Sequence, residues 1–154
     1  MADVVLDETE WVRAILADTD RGDLGAARLV ACIQQHHRWI LTPSITAKYR
    51  NQYKSRVRGP AGPTALEMIK SFTAVLSDSR RCIQPDEDPP TVEGDYHRKD
   101  QHIVSAAAWV RGSVVVTSDR KLTNQLAMAE LPRACGFQLL NTREAIVELC
   151  PEHH

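Results

Sequence analysis

Three aspartates, Asp7, Asp100 and Asp119, stand where an α/β fold turns acids into a site. Asp7 follows Val4-Val5-Leu6, and Asp119 follows Ser113-Val114-Val115-Val116-Thr117 after one further residue, Ser118. Both apolar, β-branched runs suit buried parallel strands. Asp100 heads a helical pattern that carries Ile103, Val104, Ala107 and Trp109-Val110, with Asp95 in the loop before it. In open α/β sheets, sites form beyond the carboxyl ends of the strands. Converging carboxylates repel, and without a cation one of them tends to take up a proton. Their oxygens, with no matching Cys or His set, favour a hard octahedral ion, Mg²⁺ or Mn²⁺. For any one acid alone, capping a helix dipole is the commoner role. Two strand-end acids and a helix-head acid in one small sheet shift the balance toward a site.

The elements that must position these acids can be read in chain order. Asp7 or Thr9 caps a first helix with Trp11, Val12, Ile15 and Leu16 inward. Ala26–Gln35 forms a second helix, Trp39–Thr42 a second strand, and Pro43-Ser44 opens a third helix with Ile45, Tyr49, Tyr53 and Val57 on one face. Gly59-Pro60-Ala61-Gly62-Pro63 is a break. Thr64–Ser77 forms a fourth helix with Leu66, Ile69, Phe72 and Leu76 inward, and Cys82-Ile83 a short strand. Beyond the central stretch, Leu122–Leu131 is helical and ended by Pro132, Phe137–Asn141 is a last strand, and Thr142 caps a final helix. Alternating strands and helices imply a three-layer α/β/α sandwich with a mostly parallel sheet.

Composition narrows the classes. At 154 residues the chain reads as one domain with room for a sizeable core. A hydrophobic share of 43% with 25% charged residues is that of an ordinary globular protein. The net charge of -1 places any polyanion contact in a local patch. No apolar run is long enough to span a bilayer, and the N-terminus lacks the basic start of a signal peptide. Cys32, Cys82, Cys135 and Cys150 are scattered, which fits reduced thiols and a cytoplasmic location rather than a zinc site or a disulfide framework.

One cationic run stands out. Lys48, Arg50, Lys54, Arg56 and Arg58 follow one another with no carboxylate between them. Phosphate contacts need such a run, and a solvated helix face produces the same pattern. His36-His37, His97 and His102 have no metal-ligand spacing, and His153-His154 reads as a tail.

At these residues the chain resembles the PIN-domain family, which includes the ribonuclease toxins of toxin–antitoxin pairs. Val4-Val5-Leu6-Asp7 is similar to the family's opening motif. Asp100-Gln-His-Ile103-Val-Ser-Ala-Ala107 is similar to the motif of its third acid. Val115-Val116-Thr117-Ser118-Asp119 is similar to its last motif. The resemblance runs from Val4 to about Leu149. It implies a PIN-like sandwich that hydrolyses RNA phosphodiesters with Mg²⁺ or Mn²⁺. Asp7, Asp100 and Asp119 would be the ligands, and Thr117 or Ser118 would orient Asp119. It also implies a homodimer and an inhibitory antitoxin protein; RNA contacts through Lys48, Arg50, Lys54 and Arg56 are what the cationic run itself would supply. Lys48 aligns where the family has its second acid, a Glu, and Asp7-Glu8-Thr9 replaces the family's Asp-Thr-Asn or Asp-Ser start. A Lys48 ammonium beside the acids would give a catalytically impaired domain that binds RNA or protein. An outward Lys48 would leave three acids for one ion. Receiver-like and phosphatase-like folds also put acids at strand ends, but Thr9 stands where the phosphatase pattern has its second acid, and Lys121 follows Asp119 too closely to be the receiver's lysine.

Overall fold

The computed structural model describes residues 1–57 and 62–151. Five strands form its sheet: β1 (Asp3–Leu6), β2 (Arg38–Ile40), β3 (Cys82–Ile83), β4 (Val114–Val116) and β5 (Gln138–Leu140). Eight α-helices are found among the described residues. They are α1 (Glu8–Ile15), α2 (Leu24–His36), α3 (Pro43–Arg56), α4 (Pro63–Leu76), α5 (Gln101–Trp109), α6 (Arg120–Met128), α7 (Leu131–Cys135) and α8 (Thr142–Leu149). A 3-10 turn, Arg98–Asp100, leads into α5. The result is the expected α/β/α sandwich, and its sheet is parallel throughout. Arg58 and the centre of the Gly59–Pro63 break lie outside the described residues, as do His153 and His154.

Strand order decides where a site can be. The order is β3-β2-β1-β4-β5. From β1 the chain builds outward through β2 and β3, then crosses back to lay β4 and β5 on the other side. The reversal falls between β1 and β4, whose register pairs Leu6 with Val116. Helices leave in opposite directions at such a point and open a crevice at the strand carboxyl ends. Val4, Val5, Val115 and Val116 are fully buried, as β-branched strands covered on both faces must be.

An aromatic cluster locks α1, β2, α3 and α4 together on one flank. Trp11 stacks on Tyr49 at 5.4 Å between ring centroids, Trp39 meets Trp11 edge-on at 5.9 Å, and Phe72 lies 5.1 Å from each tryptophan. Tyr49 also carries a polar tie. Its hydroxyl donates to the Leu6 carbonyl at 2.5 Å and accepts from Trp39 Nε1 at 3.2 Å. Leu6 precedes Asp7, so this tie fixes the end of β1 from below. Tyr49→Phe keeps the rings and orphans both partners. It is expected to cost on the order of 1–3 kcal/mol in denaturant unfolding, the desolvation cost of unmet buried polar groups.

Several boundaries differ from the sequence reading, each for a local reason. Pro132 begins a helix instead of ending one. Glu130 takes a left-handed φ of 56°, and Pro132 then sits in the first turn of α7, where a missing N–H costs nothing. The buried face of α4 is Ala65, Met68, Phe72 and Val75, while Leu66 is 59% exposed. Two apolar stripes share Phe72, and packing against α1 and α2 chose the one with the smaller residues. Asn141, not Thr142, caps α8 through a reciprocal capping box with Glu144.

Candidate active site

The crevice between β1 and β4 is built from backbone register. The Asp7 N–H donates to Val116 O at 3.0 Å, and the Thr117 N–H donates to Leu140 O at 3.0 Å. Asp7 and Thr117 are therefore the first residues past the paired strands, side by side. Thr117 Oγ1 donates to Asp7 Oδ2 at 2.6 Å, and the Thr9 N–H donates to Oδ1 at 3.2 Å as Asp7 caps α1. Asp119 caps α6 by accepting from the Leu122 N–H at 3.1 Å. Asp100 ends the 3-10 turn and stands at the head of α5 without a side-chain cap bond. Asp7 and Asp100 are buried and Asp119 half-buried.

Electrostatics tie these acids into one cluster and add a fourth. Burial raises Asp100, and the charges of Asp119 and Glu8 push it further against the pull of Lys99 and His102. Burial also carries Asp7 up to about 7, and the neighbouring Glu8 charge adds to it, while Thr117 and Thr9 oppose the rise. For Glu8, burial works upward but is outweighed by the hydrogen bond and charge of His102, so its carboxyl lies below the usual range. The His102 Nε2–Glu8 Oε2 distance is 2.8 Å, and both side chains are largely buried. Glu8 is not among the expected site residues, although it lies beside one, and no spacing in the sequence links it to His102.

The second-row assignments need correction. Thr117 orients Asp7, and it meets Asp119 only by accepting from its backbone N–H at 3.1 Å. Ser118 does not reach the acids. Successive extended residues point to opposite sides, so its Oγ turns away to Thr142 Oγ1 at 3.0 Å. Thr142 in turn donates to the fully buried Glu10, which Arg13 holds at 3.3 Å. That is a separate network under a different surface.

Lys48 is half-buried and borders a cavity of about 250 Å³ shared with Arg98, Lys99 and His102. It therefore stands on the flank where His102 meets Glu8. Ser44 closes this cavity's rim by donating to Asp88 through both its N–H and its hydroxyl. Arg50, Lys54 and Arg56 are exposed further along α3 and line neither this cavity nor the larger cleft described below.

Whether the acids suit a divalent ion divides into chemistry and geometry. The donors are carboxylate oxygens, the set a hard ion takes. Asp7 and Asp100 both resist ionisation because burial disfavours their charged forms and neighbouring carboxylates add to the effect. Among the described residues, however, no three His, Cys, Asp or Glu side chains stand close enough together to hold an ion. Chelation thus requires side-chain movement about Asp100 and Asp119.

Asp7 gives a stability prediction for the metal-free protein. Its folded value of about 7 lies above the ordinary 3.8. Between those values the folded chain holds a proton that the unfolded chain has released. The favourable contribution is full below pH 3.8 and lost as pH rises through about 7. Asp7→Asn stays neutral throughout. In chelator-containing buffer it is expected to stabilise the fold by on the order of 4 kcal/mol at pH 8 and by roughly 0.5 kcal/mol near pH 4. Paired denaturant curves at the two pH values check this; an equal effect at both would mean that Asp7 ionises freely in the folded state.

Comparison with protein families, with curated proteins and with solved structures finds no match to this chain. The fold is an α/β/α domain whose strand order reverses between β1 and β4, with Asp7 just past β1 at that point. No described helix is long and apolar enough to cross a membrane.

Proposed function

We propose that this chain is a metal-dependent ribonuclease of PIN type. The observation that carries the reading is the placement of Asp7 just past β1 at the switch point, held there by Thr117, with Asp100 near enough to feel the charges of Asp119 and Glu8. The ion, Mg²⁺ or Mn²⁺, would be held by Asp7, Asp100 and Asp119, with Glu8 as the neighbouring acid. When bound, it supplies Lewis acidity to the phosphodiester and a water acidic enough to attack at neutral pH. The chain's own groups do the rest. Thr117 fixes the Asp7 carboxylate, and His102 holds Glu8 and keeps that charge in place. Lys48, Arg98 and Lys99 provide positive charge at the adjoining cavity, where a phosphate of the strand can rest. Cytoplasmic residence, a homodimer and restraint by an antitoxin belong to the same proposal and rest on the resemblance and the sequence.

A second reading has an observation of its own. Three ligands are not gathered at ion-holding distance, and Lys48 occupies the position aligned with the family's Glu. Both favour an impaired nuclease fold that binds RNA or protein without cutting. Lys48→Glu separates the two. A negative charge on this flank removes repulsion toward a second positive ion and adds an oxygen donor. Relief of only ~1.4 kcal/mol is tenfold in affinity. Calorimetry with Mn²⁺ and cleavage of a single-stranded RNA are expected to show both quantities rising from a measurable wild-type level. A wild type that binds no ion and cuts nothing, beside a variant that does both, would establish the impaired reading.

A further inference from the structure

A second cleft, larger than the cavity beside Lys48, lies apart from the acids. It has a volume of about 1200 Å³ and lies against β4 and β5, where α2, α6 and α8 begin. Arg13, Arg28, Arg120 and Arg143 line it, against two acids, Asp23 and Glu144. Neither acid is idle. Asp23 is bound by Arg13 at 2.5 Å and caps α2, and Glu144 accepts from the Asn141 N–H in the capping box. Arg28, Arg120 and Arg143 are exposed and form no ion pair with another described residue. A chain of net charge -1 thus concentrates uncommitted guanidinium groups on one concave surface. Three helix amino ends add partial positive charge to the same space.

We infer that this cleft is a phosphate track for single-stranded RNA, leading to the acid crevice. The choice of RNA rests on the ribonuclease reading; the polyanion rests on charge and shape. Guanidinium groups favour phosphate because their planar forks meet its oxygens in pairs. Continuity with the acids comes through Thr117. It lines the cleft, and its hydroxyl donates to Asp7. Thr117, buried between the two, is the residue that the cleft and the acid site share. Among the described residues no aromatic side chain lines the cleft, so those residues offer no stacking platform of the kind that holds bases. Contacts there fix the backbone and leave the base sequence unread. The cationic run on α3 is not this track, because Arg50, Lys54 and Arg56 do not line it.

The test is fluorescence anisotropy of a fluorescein-labelled oligouridylate with the full chain, in chelator, across a salt series. Replacing Arg28, Arg120 and Arg143 together by alanine is expected to reduce the log–log salt slope by about 2, at ~0.7 per lost single-strand contact. The matching lysine variant keeps the charges and is expected to keep the slope. The Arg50→Ala, Lys54→Ala, Arg56→Ala variant is expected to leave it unchanged. An unchanged slope in the cleft alanine variant overturns the inference, as does a lysine variant that loses as much as the alanine one. So does a wild type that binds poly-glutamate but not RNA. The two readings fail separately. Slope loss without Mn²⁺-dependent cleavage refutes the nuclease and leaves the track, whereas normal cleavage with an unchanged slope refutes the track alone.

Discussion

Asp119→Asn and Asp100→Asn are each expected to abolish Mn²⁺-dependent cleavage of single-stranded RNA while the protein remains folded. The amide keeps the shape and removes the charge. One carboxylate against a divalent ion at ~4 Å and an effective dielectric of ~20 is worth about 8 kcal/mol before desolvation. If only a third of that survives solvent competition, the loss is still about 100-fold in ion affinity. Stability should move the other way in chelator. Asp100 is already pushed up by burial and by the charges of Asp119 and Glu8, so neutralising either aspartate relieves strain in the metal-free fold. Cleavage assays with Mn²⁺ and thermal melts in chelator, on the same preparations, read both effects. Wild-type cleavage by either variant would remove that residue from the site.

The second large effect concerns Glu8. Glu8→Gln is expected to weaken Mn²⁺ binding by about 10- to 100-fold, the range found when groups supporting a metal site are lost. Two roles are open to this side chain, and they predict different things. If Glu8 serves only to hold His102, glutamine still offers an oxygen to Nε2 at the 2.8 Å contact, and ion binding stays close to wild type. If it belongs to the acid cluster, its charge cannot be replaced by an amide. The charge is felt by two neighbours, since it raises both Asp7 and Asp100. Calorimetric titration with Mn²⁺ at fixed pH and salt decides between them. Unchanged affinity would leave Glu8 as a support for His102 alone.

The parts legible in the sequence were those governed by local pattern. Valine-rich runs marked β1 and β4, and an acid just past each run placed Asp7 and Asp119 at the same sheet edge, where the β1–β4 register then sets them. Pairings made by distant segments were not legible. Glu8 meets His102 across 94 positions, and no spacing rule connects them. The same holds for the arginines of the large cleft. Four residues at 13, 28, 120 and 143 assemble one basic surface, while Arg50, Lys54 and Arg56 on α3 are exposed away from it. The resemblance offers Thr117 or Ser118 for one role, yet in the structure their hydroxyls join different networks, Thr117 to Asp7 and Ser118 to Thr142. Pro132 was read as a stop because proline cannot sit inside a helix, and in the protein it starts one.

The central claim is that the switch-point acids hold a divalent ion that acts on RNA. The most direct measurement is anomalous diffraction from a crystal soaked in Mn²⁺. The account predicts one strong peak within coordination distance of Asp7, Asp100 and Asp119, absent in Asp119→Asn crystals treated alike. A fully soaked wild-type crystal with no peak among these three side chains would contradict it.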